Sequence, residues 1–178
     1  AIDFFIQSNN FQLNLDILYL SNFWMADAHY MLDDFEKAKN IYNKIGFNDK
    51  LSSYINNAKY NLAYCYFQTK EFKESNSLFR SFIKNCKDST MLNDAFLRIA
   101  DCFYMQNEFL LSQKYYVKSI KLNLFDVDYA LYNGSLCLSL VNQKSKKLKM
   151  LKRLVKDFSN SPYYDNAFFD LANHFKNN

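Results

Sequence analysis

The sequence predicts an all-α fold: a right-handed superhelical solenoid of antiparallel helix pairs. Three observations carry that prediction. Small residues recur at Ala26, Ala63, Ala100, Ser135 and Ala172, spaced 37, 37, 35 and 37 residues apart. Each is followed three places on by a ring or bulky group: His29, Tyr66, Phe103, Leu138 and Phe175. Only 2 glycines and 1 proline occur in 178 residues, too few for the turns of a strand-rich or loop-rich chain. Self-similarity at this period marks stacked helical units that share a continuous core.

The elements follow in order. Residues 1–18 read as the end of a preceding second helix and its connection. Full units are expected over 19–55, 56–92, 93–127 and 128–164, and the first helix of a further unit over 165–178. The whole is one solenoid segment. Within the second unit, Tyr60, Leu62, Ala63, Tyr66 and Phe67 follow helical spacing, and Phe72, Leu78, Phe79, Phe82 and Ile83 repeat the stripe in its second helix. Between the two helices of a pair stand Asp34–Phe35, Glu71–Phe72 and Glu108–Phe109, where an acid suits the free amides and dipole of a helix start. Connections between pairs are polar: FNDKLSS, NCKDST and FSNSPYYD. Ser161 before Pro162 is read as a helix start. The weakest unit is the fourth, whose register is open by one residue because Gly134 and Ser135 are both small.

Composition allows this much burial, with 49% apolar residues, 18 Phe and 14 Tyr. No apolar run is long enough for a signal or membrane helix, so no transmembrane segment is expected. The chain opens on Ala1, from which a processed chain or part of a longer one is expected. Charge is uneven. Lys144, Lys146, Lys147, Lys149, Lys152, Arg153 and Lys156 fall in one segment without an acid, which leaves 15 basic against 18 acidic residues elsewhere. Leu148, Leu151, Leu154, Val155 and Phe158 supply that helix's buried stripe, so its cations fan outward.

These residues resemble the tetratricopeptide repeat, whose pattern sets a large residue at position 4, small ones at 8, 20 and near 27, and aromatics at 11 and 24. The third unit matches best, through Phe96, Ile99, Ala100, Phe103, Ser112, Tyr116 and Ser119. Departures are Asn22 and Lys59 at position 4, Lys147 at 20, and Ile45, Phe82 and Leu154 near 27. The 37-residue period and phrases such as LNDAFLRIADCFYMQNEF are similar to a subgroup found in bacterial cell-envelope proteins, including the Tol-Pal coordinator, the outer-membrane assembly lipoprotein and large secretion- or gliding-associated proteins. That resemblance implies a periplasmic or outer-membrane-associated setting, with the cytoplasm as the alternative.

Cys65, Cys102 and Cys137 take the same place in successive units. Adjacent equivalent helices lie about 10 Å apart, beyond the ~7 Å reach of a disulfide, so these read as buried thiols. Thiols lean toward a reducing compartment, against the envelope setting. His29 fills an aromatic slot and reads as packing. Without a His-centred cluster, a glycine loop or a metal motif, no catalytic, cofactor or metal site is expected, and the chain reads as non-enzymatic.

The resemblance implies a concave groove lined by first-helix positions. In this chain those are Phe23, Asp27, Tyr30, Tyr60, Tyr64, Phe67, Asp94, Leu97, Asp101, Tyr104 and Tyr132, an aromatic trough dotted with carboxylates. Asp27, Asp94 and Asp101 would then prefer basic groups on a ligand. The cationic clamp of chaperone-binding relatives is missing from these positions. The expected function is a protein-interaction scaffold that captures a peptide, helix or loop, within a larger complex. Two alternatives stay open: an internal spacer of a longer solenoid, or a basic-helix module docking to an acidic partner or membrane surface through Lys144, Lys146, Lys149, Lys152, Arg153 and Lys156. Nucleic acid is not expected, because one helix carries the charge alone.

Overall fold

A computed structural model describes residues 2–10, 15–45 and 52–176. Among them are ten α-helices: α1 (Ile2–Asn10), α2 (Leu15–Met31), α3 (Phe35–Ile45), α4 (Ser52–Gln68), α5 (Phe72–Phe82), α6 (Ser89–Met105), α7 (Phe109–Leu122), α8 (Val127–Leu140), α9 (Lys144–Asp157) and α10 (Tyr164–Lys176). No strand occurs among the described residues. The helices fall into two compact units, Ala1–Cys86 and Lys87–Asn178.

In the first unit, α2 pairs with α3 and α4 with α5, while α1 packs on α2 and α3 on α4. Its core joins Phe23 and Ala26 of α2, Ala38 and Tyr42 of α3, and Ala58, Leu62 and Cys65 of α4. In the second unit α6 pairs with α7 and α8 with α9, and α10 lies on α9. Leu97, Ala100, Tyr116, Leu131, Cys137, Leu151, Leu154 and Leu171 form its core. The expected contact points Ala26, Ala63, Ala100 and Ser135 are all buried, as are their second-helix counterparts Ala38, Ser75 and Ser112. Ala172 departs from the pattern and is exposed, because no second helix follows α10 among the described residues.

The turn inside each pair is closed by backbone; of the expected acids only Asp34 also caps its helix, its Oδ1 accepting the Lys37 amide at 3.4 Å. Asp33, Lys70, Asn107 and Asn142 adopt left-handed conformations, with φ of 57°, 64°, 61° and 57°. The next amide reaches back to the ring-position carbonyl in every case: Asp34 to His29, Glu71 to Tyr66, Glu108 to Phe103 and Gln143 to Leu138, at 2.8–3.0 Å. These are Schellman closures, which satisfy carbonyls otherwise orphaned at the helix end. Glu71 and Glu108 occupy N-cap positions but make no side-chain cap bond. The Glu71 carboxylate instead takes Lys39 Nζ and the Thr69 hydroxyl. The same closure fixes the fourth unit's register. Leu138 supplies the carbonyl, so Ser135, three residues before it, is the equivalent of Ala100. Gly134 serves a separate close approach: a Cβ there would lie 2.9 Å from Met150 Cε.

Other boundaries shift. Helices α2, α4 and α6 begin about one turn before the expected unit starts. The shorter 35-residue interval coincides with a four-residue connection at 123–126, in which Asn123 and Asp126 are both left-handed. Ser161 does not start a helix. Its hydroxyl donates to Asp128 over 2.6 Å and accepts the Tyr163 amide, and α10 begins after that turn. The expected connections at 11–14 and 47–51 lie outside the described residues.

Candidate functional site: an aromatic strip on the first helices

First helices α2 and α4 bring half-buried rings together. Tyr30 lies 6.5 Å from Tyr64, and Tyr64 lies 5.1 Å from Tyr60, both edge-on. Tyr30 is backed by Phe35 at 5.6 Å and Phe67 by Phe72 at 5.7 Å, so the first residue of each second helix props the strip from behind. Tyr60 and Tyr64 also touch Phe79, and Tyr60 touches Phe82. Their rings are therefore part surface and part wall between helices. Edge-on aromatic pairs hold their rings in place beyond simple area burial.

Phe23, expected in this lining, is 4% exposed and packs against Tyr42 instead. Leu97 is fully buried beside Ala100 and Tyr116 in the second unit's core. Both are corrections to the expected groove: Phe23 and Leu97 face inward, into the cores that hold Tyr42 and Tyr116. In the second unit, Tyr104 is half-buried against Phe109 at 5.6 Å, and Tyr132 stacks on Tyr163 at 5.1 Å.

The carboxylates do not stand open for ligand cations. Asp27 Oδ1 accepts from Asn61 at 2.9 Å and from the Tyr42 hydroxyl at 3.3 Å. Asp101 is 8% exposed, and its Oδ1 accepts from Tyr116 at 2.6 Å and Tyr129 at 2.8 Å. Arg98 donates to Asp101 Oδ2 at 2.6 Å and lies 3.6 Å from Asp94. Burial raises the Asp101 pKa, with Arg98 and the two phenols opposing the shift. Burial also drives the Tyr42, Tyr116 and Tyr129 phenols far above their usual range. Their protons stay on and serve as fixed donors. Asn61, Arg98 and Tyr129 were not foreseen as partners. Arg98 was legible, standing four residues after Asp94 and three before Asp101 on one helix.

On α9, Lys144, Lys146, Lys149, Lys152 and Lys156 are exposed. Lys152 Nζ stands 5.3 Å above the Phe175 ring, and Arg153 pairs with Asp157 at 3.5 Å. A cavity of about 350 Å³ opens between α8, α9 and α10, lined in part by Ser139, Lys144 and His174 and crossed by the 2.8 Å Lys147–Asp170 ion pair. Cys65, Cys102 and Cys137 are buried thiols, and burial raises the Cys65 thiol to about 12. Among the described residues no group of three His, Cys, Asp or Glu side chains is placed to hold a metal, and no helix is long and apolar enough to cross a membrane.

Residues 21–46 and 57–89 match the family model of the tetratricopeptide repeat. No curated protein matches the chain in sequence. Solved structures do match in fold. YrrB, described as a TPR protein with an unusual peptide-binding site, is 17% identical with a TM-score of 0.73, covering 100% of this chain and 86% of that one. BtubC from P. vanneervenii is 14% identical with a TM-score of 0.65, over 99% and 79%. The C-terminal part of a TPR repeat-containing protein from Cytophaga hutchinsonii is 15% identical with a TM-score of 0.68, over 93% and 65%. Two stretches of the chain therefore match the tetratricopeptide repeat, and the chain has the all-helical fold of solved tetratricopeptide-repeat proteins.

Proposed function

We propose that the chain is a non-catalytic scaffold that holds a peptide, helix or loop of a protein partner against the first-helix aromatic strip. The observation that carries this reading is the run of ring contacts Tyr30–Tyr64–Tyr60, half-buried and propped from behind by Phe35 and Phe79. Rings held this way offer large contact area with few rotors left to freeze on binding. In the second unit Tyr104 and Tyr132 form a candidate surface of their own. Because Asp27, Asp94 and Asp101 are engaged within the protein, selectivity here rests on shape and apolar contact rather than on ligand cations. The exposed cations of α9 supply a separate electrostatic surface for an acidic partner. The proposed setting is a bacterial envelope complex, on the strength of the 37-residue period and the repeat phrases alone.

Peptide display against the purified chain tests the reading. Selected peptides should lose about tenfold or more in affinity when Tyr30 and Phe67 are both changed to Ala, the loss expected of a hot spot, and should be indifferent to Lys73→Ala on α5. Peptides that bind the double variant as tightly as the parent would remove the strip from the mechanism.

A further inference from the structure

The cations of α9 continue onto α7. In steps of three and four residues, Leu110, Lys114, Val117 and Lys121 share one face of α7, opposite the buried Ser112, Tyr116 and Ser119. Leu110, Lys114 and Lys121 are exposed although α6 and α8 both pack on this helix. With described helices on either side of it in the chain, α7 owes that exposed row nothing to where the sequence begins or ends. The same places 35 residues on are Ser145, Lys149, Lys152 and Lys156, all exposed and opposite the buried Leu151 and Leu154 of α9. Arg153, between Lys149 and Lys156, donates to Asn123 Oδ1 at 3.2 Å, and Asn123 stands two residues past Lys121, so this bond joins the two rows. No acid occurs from Phe109 to Phe125 or from Lys144 to Lys156.

Apolar groups edge this basic surface. Leu110 is 56% exposed, Leu111 40% and Leu124 50%. At the places of Leu110 and Leu111 the other second helices carry Glu36 and Lys37, Lys73 and Glu74, and Ser145 and Lys146. An ammonium on a flexible stem is a hydrated point charge, which suits a layer of phosphate groups better than one fixed carboxylate. Single-stranded nucleic acid calls for rings among the cations, and these rows hold none. Leucines beside lysines suit the boundary between lipid headgroups and acyl chains, where the leucine enters and the lysine stays at the phosphates.

We propose that the outer faces of α7 and α9 dock on an anionic lipid surface, with Lys114, Lys121, Lys149 and Lys156 at the phosphates and Leu110 and Leu111 inserted beside them. The proposal names the acidic partner of the α9 surface and rests on that reading.

Co-sedimentation with vesicles tests this. Vesicles of phosphatidylcholine alone are compared with vesicles of equal parts phosphatidylcholine and phosphatidylserine, at low and high salt, and soluble polyglutamate probes the same cations without a membrane. The wild type should pellet only with the anionic vesicles and be released by salt. Lys149→Glu with Lys156→Glu should weaken that binding about tenfold or more. Leu110→Ser with Leu111→Ser should weaken it several-fold and leave polyglutamate binding unchanged. All four side chains are exposed, so the fold is kept, and unchanged circular dichroism verifies it. Polyglutamate bound without anionic vesicles, neutral vesicles bound equally well, or a leucine variant that binds vesicles as the parent does would overturn the lipid docking and leave the acidic-partner reading standing. Binding to neither probe, or a lysine variant that binds both as the parent does, would overturn the two together.

Discussion

The Ser75 hydroxyl donates to the carbonyl oxygen of Ala63 over 2.9 Å, tying the small residue of one helix directly to the small residue of its pair. Both are fully buried, so nothing larger than a methyl or hydroxyl separates α4 from α5 at this crossing.

Ala63→Leu should therefore force the pair apart. The expected cost is about 1–3 kcal/mol, the range for overpacking a dense core. Ser75→Ala removes one bond with little change of volume and should cost about 1 kcal/mol. Urea unfolding followed by circular dichroism ranks the two; a cost for Ala63→Leu no greater than for Ser75→Ala would show that the crossing is loose.

Asp101 gives a pH dependence of known sign. Its folded pKa is raised above the ordinary 3.8, so between those values the folded state holds a proton the unfolded chain has released. Its contribution to stability therefore falls as pH rises through that window. The stability of Asp101→Asn relative to wild type should accordingly improve from pH 4 toward neutrality. A flat difference across that range counts against it. Asp101→Leu strands the Tyr116 and Tyr129 hydroxyls and Arg98 and should cost about 3 kcal/mol or more.

Lys39 of α3 reaches Glu71 and, at 2.9 Å, Glu36. The Lys39 and Thr69 bonds lower the Glu71 pKa, and the two carboxylates raise that of Lys39 despite its burial. The Glu71 contribution is present above its ordinary 4.5 and is lost as pH falls through the lowered folded value. That of Lys39 is complete below its ordinary 10.5 and is lost as pH rises through the raised one. Glu71 is 42% exposed, so solvent weakens the pair, and Glu71→Gln should cost about 0.5–1 kcal/mol at neutral pH. That cost should shrink as pH falls through the lowered folded value, and one that does not shrink in acid would locate the effect elsewhere.

Lys70 holds a left-handed backbone at φ 64°, where a Cβ costs about 1–2 kcal/mol. Glycine loses about 0.5–1 kcal/mol more backbone freedom on folding. Lys70→Gly should thus be neutral or stabilising by up to about 1 kcal/mol, and Lys70→Val destabilising. Thermal melts of both variants decide it, and a lower melting temperature for glycine would refute the assignment of strain.

The helix pairs were legible because Ala26, Ala63 and Ala100 are small for one physical reason, repeated. The turns were partly misread. An acid before an aromatic looks like a cap, and Asp34 is one, yet at Glu71 and Glu108 the closure rests on the preceding left-handed residue, Lys70 or Asn107, and no side-chain cap bond forms. The groove was only half legible. Phe23 and Tyr60 hold equivalent places and each meets a second-helix ring, Tyr42 or Phe79, yet Phe23 is buried and Tyr60 half-buried, a difference that local spacing does not carry. The carboxylates at Asp27 and Asp101 were read as ligand-facing because their partners Tyr42 and Tyr116 lie fifteen residues on, across a turn, beyond any local pattern. Tyr60→Ala should accordingly lower the melting temperature more than Tyr30→Ala, since Tyr60 also braces Phe79 and Phe82.

Three sulfur atoms, at Cys65, Cys102 and Cys137, sit where no reagent reaches them in the native state, one in the first unit and two in the second. Each becomes a clock. Alkylation at any of them records a transient parting of its own helices, so mass spectrometry of labelled peptides times the opening of each unit separately, without a mutation or a dye.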